Sequence, residues 1–251
     1  MKNSYEVRRD MRRHLRHVRS VRKNEQRQVS EGSRPWILYT DALQSYITRL
    51  SNSFPEVTNL KDEATHYFRT LGKRPLIIDV CGAARAQDID AFVIHSTMSQ
   101  VGEQSESDEQ NAFVFGDIVR KRVQKKMIDA IDAYDAGIAS KEKIFAAFFF
   151  PGAGFIFNED NLVTNNGLLS LFDSLYDRLM NDGSMYIDFL ESDVTREHQI
   201  EQIAQFTKYL AKKGVAFDTH QFSYDPNKVT GKHTVFRITK SSLNISSSNF
   251  S

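Results

Sequence analysis

Apolar residues recur along this chain with two different periods, and the changes between them mark out its elements. Val7, Met11, Leu15 and Val18 fall at helical spacing, and Pro35 breaks the run that follows. Tyr39, Leu43, Tyr46, Ile47 and Leu50 make a second helical stripe, stopped near Phe54-Pro55. Ala64, Tyr67, Phe68 and Leu71 make a third, closed by Gly72. Beyond Pro75 short apolar runs take over. Leu76–Val80, Ala112–Ile118, Ile144–Phe150, Ser184–Leu190, Val215–Phe222 and His233–Thr239 read as strands. Ala91–His95 fits either a strand or part of a helix after the first strand.

Helical stripes separate these runs. One carries Val119, Val123, Met127, Ile131 and Tyr134, and the next Leu168, Leu171, Phe172, Leu175, Tyr176 and Leu179. The last carries Ile200, Ile203, Phe206 and Leu210 and ends at Lys212-Lys213-Gly214. Strands alternating with helices predict a parallel sheet covered by helices. Ile144–Phe150 is apolar throughout, as in a central strand buried on both faces. The roughly ten residues between the last two strands are too few for a crossover helix, so these strands pair as an antiparallel hairpin.

Charge is unevenly spread. Lys2, Arg8, Arg9, Arg12, Arg13, Arg16, Arg19, Arg22 and Lys23 crowd the start, opposed before residue 25 only by Glu6 and Asp10. This basic amphipathic helix has two readings: an arginine stripe that follows a nucleic-acid phosphate backbone, or a solvated face over a packed apolar stripe. Trp36 and Tyr39 follow it, placed to close over a ligand as a lid or to pack in a core. Cys81 is the only cysteine, which excludes an intrachain disulfide and a cysteine metal cluster and suits a cytoplasmic location. The histidines show no metal-ligand spacing, so no metal is expected. No apolar run reaches the roughly 18 residues of a membrane span. The Ser/Asn-rich residues 241–251 read as a disordered tail.

The chemistry-bearing stretch is Leu76-Ile77-Ile78-Asp79-Val80-Cys81-Gly82-Ala83-Ala84-Arg85. An apolar strand runs into an acid and then a turn of small residues. Open α/β sheets bind ligands at the carboxyl ends of their strands. Small residues there let backbone approach a nucleotide-like ligand closely. Pro151-Gly152-Ala153-Gly154 also follows a strand but lacks the Lys-Ser/Thr ending of a P-loop.

In the back half, Leu179-Met180-Asn181-Asp182-Gly183 turns into Ser184-Met185-Tyr186-Ile187-Asp188, then come a helix, Lys-Lys-Gly and a terminal hairpin. With the Asp79 turn, this order resembles class I S-adenosylmethionine-dependent methyltransferases over roughly residues 75–240. The resemblance implies a Rossmann-like three-layer α/β sandwich. Its seven-stranded sheet would be mostly parallel with an antiparallel C-terminal hairpin. Residues 1–74 would form a helical N-terminal extension. It implies S-adenosylmethionine as cofactor, held by Asp79, Cys81, Gly82 and Ala83, and by Phe150 at the end of the fourth strand.

Cys81 and Ala83 stand where the family usually has glycine. Asp117 has two roles open to it. If Ala112–Ile118 is the second strand, Gly116-Asp117-Ile118 is the family's ribose-binding ending. If Ala91–His95 is the second strand, His95 replaces that acid and Asp117 matches a later motif that contacts adenine. The implied function is methyl transfer to an acceptor the sequence does not name. The alternative is a methyltransferase-like module without catalysis that binds partners, nucleic acid among them, through the basic helix.

Overall fold

A computed structural model of the chain describes residues 53–80, 89–97, 107–116, 120–149, 167–191, 196–223 and 232–240, together with Leu43, Ile47, Thr48, Leu50, Ser51 and Ile118. All belong to the compact unit that begins at Asp41. The basic stretch 1–30, Trp36, Tyr39 and the tail 241–251 lie outside the described residues.

A short 3-10 turn (Pro55–Asn59) leads into α1 (Leu60–Leu71), and β1 (Leu76–Val80) follows. Then come β2 (Phe92–Thr97), β3 (Asn111–Phe115), α2 (Lys121–Ala133), β4 (Ile144–Phe149) and α3 (Gly167–Arg178). The chain closes with β5 (Leu179–Glu191), α4 (Arg196–Lys213), β6 (Phe217–Ser223) and β7 (Lys232–Thr239). The seven strands form one sheet in the order β3-β2-β1-β4-β5-β7-β6. Strands β1 to β5 run parallel, and β7 inserts antiparallel between β5 and β6. This is the mostly parallel sheet with an antiparallel terminal hairpin that the resemblance implies.

Side-chain alternation along each strand makes two cores. Ile78, Val80, Ile94, Phe149, Ile187 and Phe236 face one side, where they meet Met127 and Ile131 of α2, Phe172 and Leu175 of α3, and Phe206 and Leu210 of α4. Burying each such side chain contributes on the order of 1.5–3 kcal/mol. Ile77, Val93, Phe148, Tyr186 and Val235 face the other side, against Leu43, Leu50, Phe54, Val57, Leu60 and Ala64. The N-terminal helical segment from Leu43 onward is therefore the second outer layer. Arg237 of β7 pins it through an ion pair to Glu56 at 2.5 Å.

Two elements differ from the sequence expectation, each for a local reason. The expected strand Ala112–Ile118 ends at Phe115, because Gly116 takes φ +133° and turns the chain out of the ladder. The expected turn Asn181-Asp182-Gly183 lies within β5 as an irregularity. Pairing with β4 passes from Ile144↔Leu179 to Ala146↔Ser184 across it, with Asp182 at φ 63°. A Cβ on Gly183 would sit 3.0 Å from the Met180 carbonyl oxygen and 3.1 Å from that of Phe145, so only glycine lets the chain pass there unstrained.

Gln202 of α4 is 1% exposed, yet neither end of its side-chain amide has a hydrogen-bond partner. An orphaned buried amide costs about 1–3 kcal/mol. Gln202→Met, which keeps the shape and removes both polar atoms, is expected to raise unfolding free energy by on the order of 1 kcal/mol. Urea denaturation checks this, and a midpoint that falls would contradict it.

Candidate active site

The strand order reverses between β1 and β4, which defines a topological switch point. There Val80 pairs with Phe149, so the two strands end side by side. Cys81-Gly82-Ala83-Ala84 follows immediately in sequence. Of the residues singled out from the sequence, Asp79 and His95 are described; Cys81, Gly82, Ala83, Asp117 and Phe150 lie outside the described residues.

β1 pairs with β2 on one side and β4 on the other, so all five of its residues are buried. Burying a carboxylate requires a partner. His95 supplies it: Asp79↔His95 is a register pair, and Asp79 Oδ2 lies 2.6 Å from His95 Nδ1. The other ring nitrogen, Nε2, lies 3.0 Å from Asn111 Oδ1 on β3. Asn111 Nδ2 in turn donates to Asp108 Oδ1 at 3.2 Å. That orients the amide so that Oδ1 accepts and His95 Nε2–H donates. Phe113 stacks on the imidazole with ring centroids 4.7 Å apart.

β2 is thus Phe92–Thr97, which decides between the two readings of the second strand. His95 lies inside β2 as the partner of Asp79, and Thr97, not an acid, ends the strand. Asp117 follows the third strand, where the resemblance places the adenine contact. The crossover from β1 to β2 is eleven residues, Cys81 to Ala91. That is slightly below the dozen or more usual for a parallel connection. Gly116, at the end of β3, is constrained on two counts. Its φ is +133°, and a Cβ there would lie 2.8 Å from Val123 Cγ2 on α2.

Farther along the same face, Tyr186 of β5 stacks on Phe148 at 5.2 Å and meets Phe54 edge-on. Burial pushes its phenol up to about 12, so it stays protonated. Beyond it, Asp188 of β5 and His233 of β7 form a second buried pair. Nδ1 of His233 lies 2.9 Å from Oδ1 and 3.0 Å from Oδ2 of Asp188. Sequence reading missed both pairs. Neither His–Asp spacing is local, and only the register of parallel or antiparallel neighbours brings the partners together. Among the described residues no group of three or more His, Cys, Asp or Glu is placed to hold a metal ion. None of their helices is long and apolar enough to cross a membrane. A shallow groove of about 590 Å³ between α1 and Phe145 lies by the amino end of β4, away from the switch point.

No protein-family model matches the chain. No curated protein matches it either. Solved structures do resemble it in fold. A Haemonchus contortus phosphoethanolamine N-methyltransferase, solved with S-adenosylhomocysteine, aligns at 10% identity and TM-score 0.42, covering 72% of this chain and 52% of its own. The chain thus spans about half the length of that enzyme. A Plasmodium falciparum ribosomal RNA methyltransferase aligns at 13% identity and TM-score 0.42, covering 80% and 98%. A Streptococcus thermophilus rRNA methylase aligns at 12% and 0.40, covering 71% and 94%.

Truncating one member of a buried ion pair leaves the other charge uncompensated, at a cost of about 3–5 kcal/mol. His95→Ala is expected to destabilise the protein by that amount. Chemical denaturation is the check, and a loss below about 1 kcal/mol would place the Asp79 charge elsewhere.

Proposed function

We propose that the chain is an S-adenosylmethionine-dependent methyltransferase whose cofactor lies over the carboxyl ends of β1 and β4. The observation that carries this reading is the sheet itself. Its switch point falls between β1 and β4, and an antiparallel β7 sits between β5 and β6. The small-residue turn Cys81-Gly82-Ala83-Ala84 begins at that switch point. A nucleoside cofactor needs close backbone approach and acceptors for its donor groups, and the residues at this edge fit both needs. Gly82 and the alanines bring backbone close. Asp117, after the tightly turned Gly116, supplies a carboxylate, an acceptor-only group able to take two donors.

In this reading Cys81, Gly82 and Ala83 line the methionine end, Asp117 holds the adenosyl end, and Phe150 packs against the cofactor. Asp79 acts from beneath. Bound to His95, it fixes the end of β1 from which the turn departs. The bound cofactor supplies an activated methyl group on a sulfonium. The protein's part is to orient it against the acceptor and to exclude water. A cytoplasmic setting and an acceptor that includes nucleic acid, reached through the basic N-terminal stretch, are consistent with the single cysteine and the arginine stripe.

Calorimetric titration with S-adenosylmethionine and S-adenosylhomocysteine tests the proposal. Micromolar binding is expected. Asp117→Ala removes charge-assisted hydrogen bonds worth about 1.5–3 kcal/mol, so affinity is expected to fall on the order of ten- to a hundredfold. If the folded protein binds neither ligand, the chain is a methyltransferase-like binding module. If Asp117→Ala binds as tightly as the parent, the carboxylate has been misplaced.

A further inference from the structure

Phe145 breaks the alternation of β4. Ile144 and Ala147 face the core beneath α2 and α3, whereas Phe145 and Ala146, adjacent in sequence, both pack on the side of α1. The register gives the reason. On β1, Leu76 pairs with Ile144 and the next residue, Ile77, pairs with Ala146. On β5, Leu179 pairs with Ile144 and Ser184 with Ala146. Phe145 therefore has no register partner on either neighbour and is the extra residue of a β-bulge. Bulges re-aim a side chain. This one brings an aromatic ring under α1, edge-on to Tyr67 with centroids 6.1 Å apart. Phe145 is also the one residue of β4 that is only partly buried.

The ring floors the shallow groove of about 590 Å³ along α1. Leu71, 41% exposed, extends the apolar surface at the carboxyl end of the helix. Asp62 and Glu63 line the same groove from the first turn. Acids there complement the helix dipole. Yet among the described residues neither carboxylate has a hydrogen bond or an ion pair. Lys61 and Arg69 of α1 are not part of the wall, and Lys73, just beyond the helix, is paired with Asp135 at 2.8 Å. The one basic group on the wall is the imidazole of His66. The groove thus joins an apolar floor to an uncompensated acidic rim.

That combination selects its occupant. Carboxylates at the rim repel phosphate, so a nucleic acid or an anionic membrane surface does not suit it. A second copy packing this face on itself would set like charges against each other. Small-molecule sites bury most of their ligand, which so shallow a groove does not do. A peptide with an apolar side chain flanked by arginine or lysine meets both requirements. Its apolar side chain covers Phe145 and Leu71, and its cations meet Asp62 and Glu63. We propose that the groove between α1 and Phe145 docks a basic, apolar-anchored peptide segment of a partner protein. It lies at the amino end of β4, the end opposite the switch point, and is separate from the proposed reaction.

The full chain, labelled with nitrogen-15, is titrated with a short model peptide of leucine and arginine at helical spacing. A counterpart with glutamate for each arginine is the control. Saturable binding of the arginine peptide is expected, with amide shifts gathered between Asp62 and Leu71 and around Phe145. The glutamate peptide is expected to cause none. Asp62→Asn combined with Glu63→Gln is expected to weaken binding on the order of three- to tenfold. Leu71→Ser is expected to weaken it as well. All three positions are exposed, so the variants are expected to keep the fold, which circular dichroism checks. Lack of saturable binding, shifts that fall elsewhere, equal binding of the two peptides, or a carboxylate variant as tight as the parent overturns the proposal. So does a dimer of the free protein, seen by sedimentation and dissolved by Leu71→Ser, because the occupant is then a second copy. S-adenosylhomocysteine added to the same samples reports on the cofactor reading separately.

Discussion

Everything in this fold turns on β1 being paired on both sides. Its five residues hydrogen-bond to β2 and β4, and both of its faces are covered. A strand so placed cannot carry an uncompensated charge, yet Asp79 is in it. His95 is therefore a structural necessity one strand over, and Asn111 and Asp108 are necessities in turn. A chain of four polar side chains runs from the central strand toward the β3 edge of the sheet. It ties three parallel strands together on a diagonal, from near the carboxyl end of β1 at Asp79 to the amino end of β3 at Asn111.

The sheet face opposite α2, α3 and α4 holds Ile77, Val93, Phe148 and Tyr186, which need an apolar partner. Leu43, Leu50, Phe54, Leu60 and Ala64 provide it. Hydrogen bonds reinforce the contact: Thr65 donates to Asp90 ahead of β2, and Tyr67 to the Ala136 carbonyl beyond α2. The described residues between Leu43 and Leu71 are thus a layer of the sandwich.

The opposite face is built differently. Helices α2, α3 and α4 meet it with aromatic side chains that touch one another, Phe172 with Phe206 and Phe206 with Phe236. Polar ties run along the solvent side of these helices. Arg178 makes a two-pronged contact with Asp132, and Tyr209 and Lys213 both reach Asp173. The buried polar pairs gather on the other face, where Asp79, His95, Asp188 and His233 all lie.

The sequence by itself determined the elements, since period and punctuation are local properties. The apolar run Ile144–Phe149 had to be a central strand, and ten intervening residues allowed β6 and β7 only a hairpin. Gly72 stopped α1 where it stands. The placement of strand ends at Phe115 and within Asn181-Asp182-Gly183 needed backbone angles that residue type alone does not dictate. Only the tertiary structure decided what the isolated polar residues are for. Ala91–His95 carries the same letters as strand or as helix, and pairing with β1 made it β2. Asp79 meets His95, and Asp188 meets His233, across 16 and 45 residues of chain. Such meetings are fixed by strand register, which the whole sheet sets at once, and no spacing within the sequence encodes them.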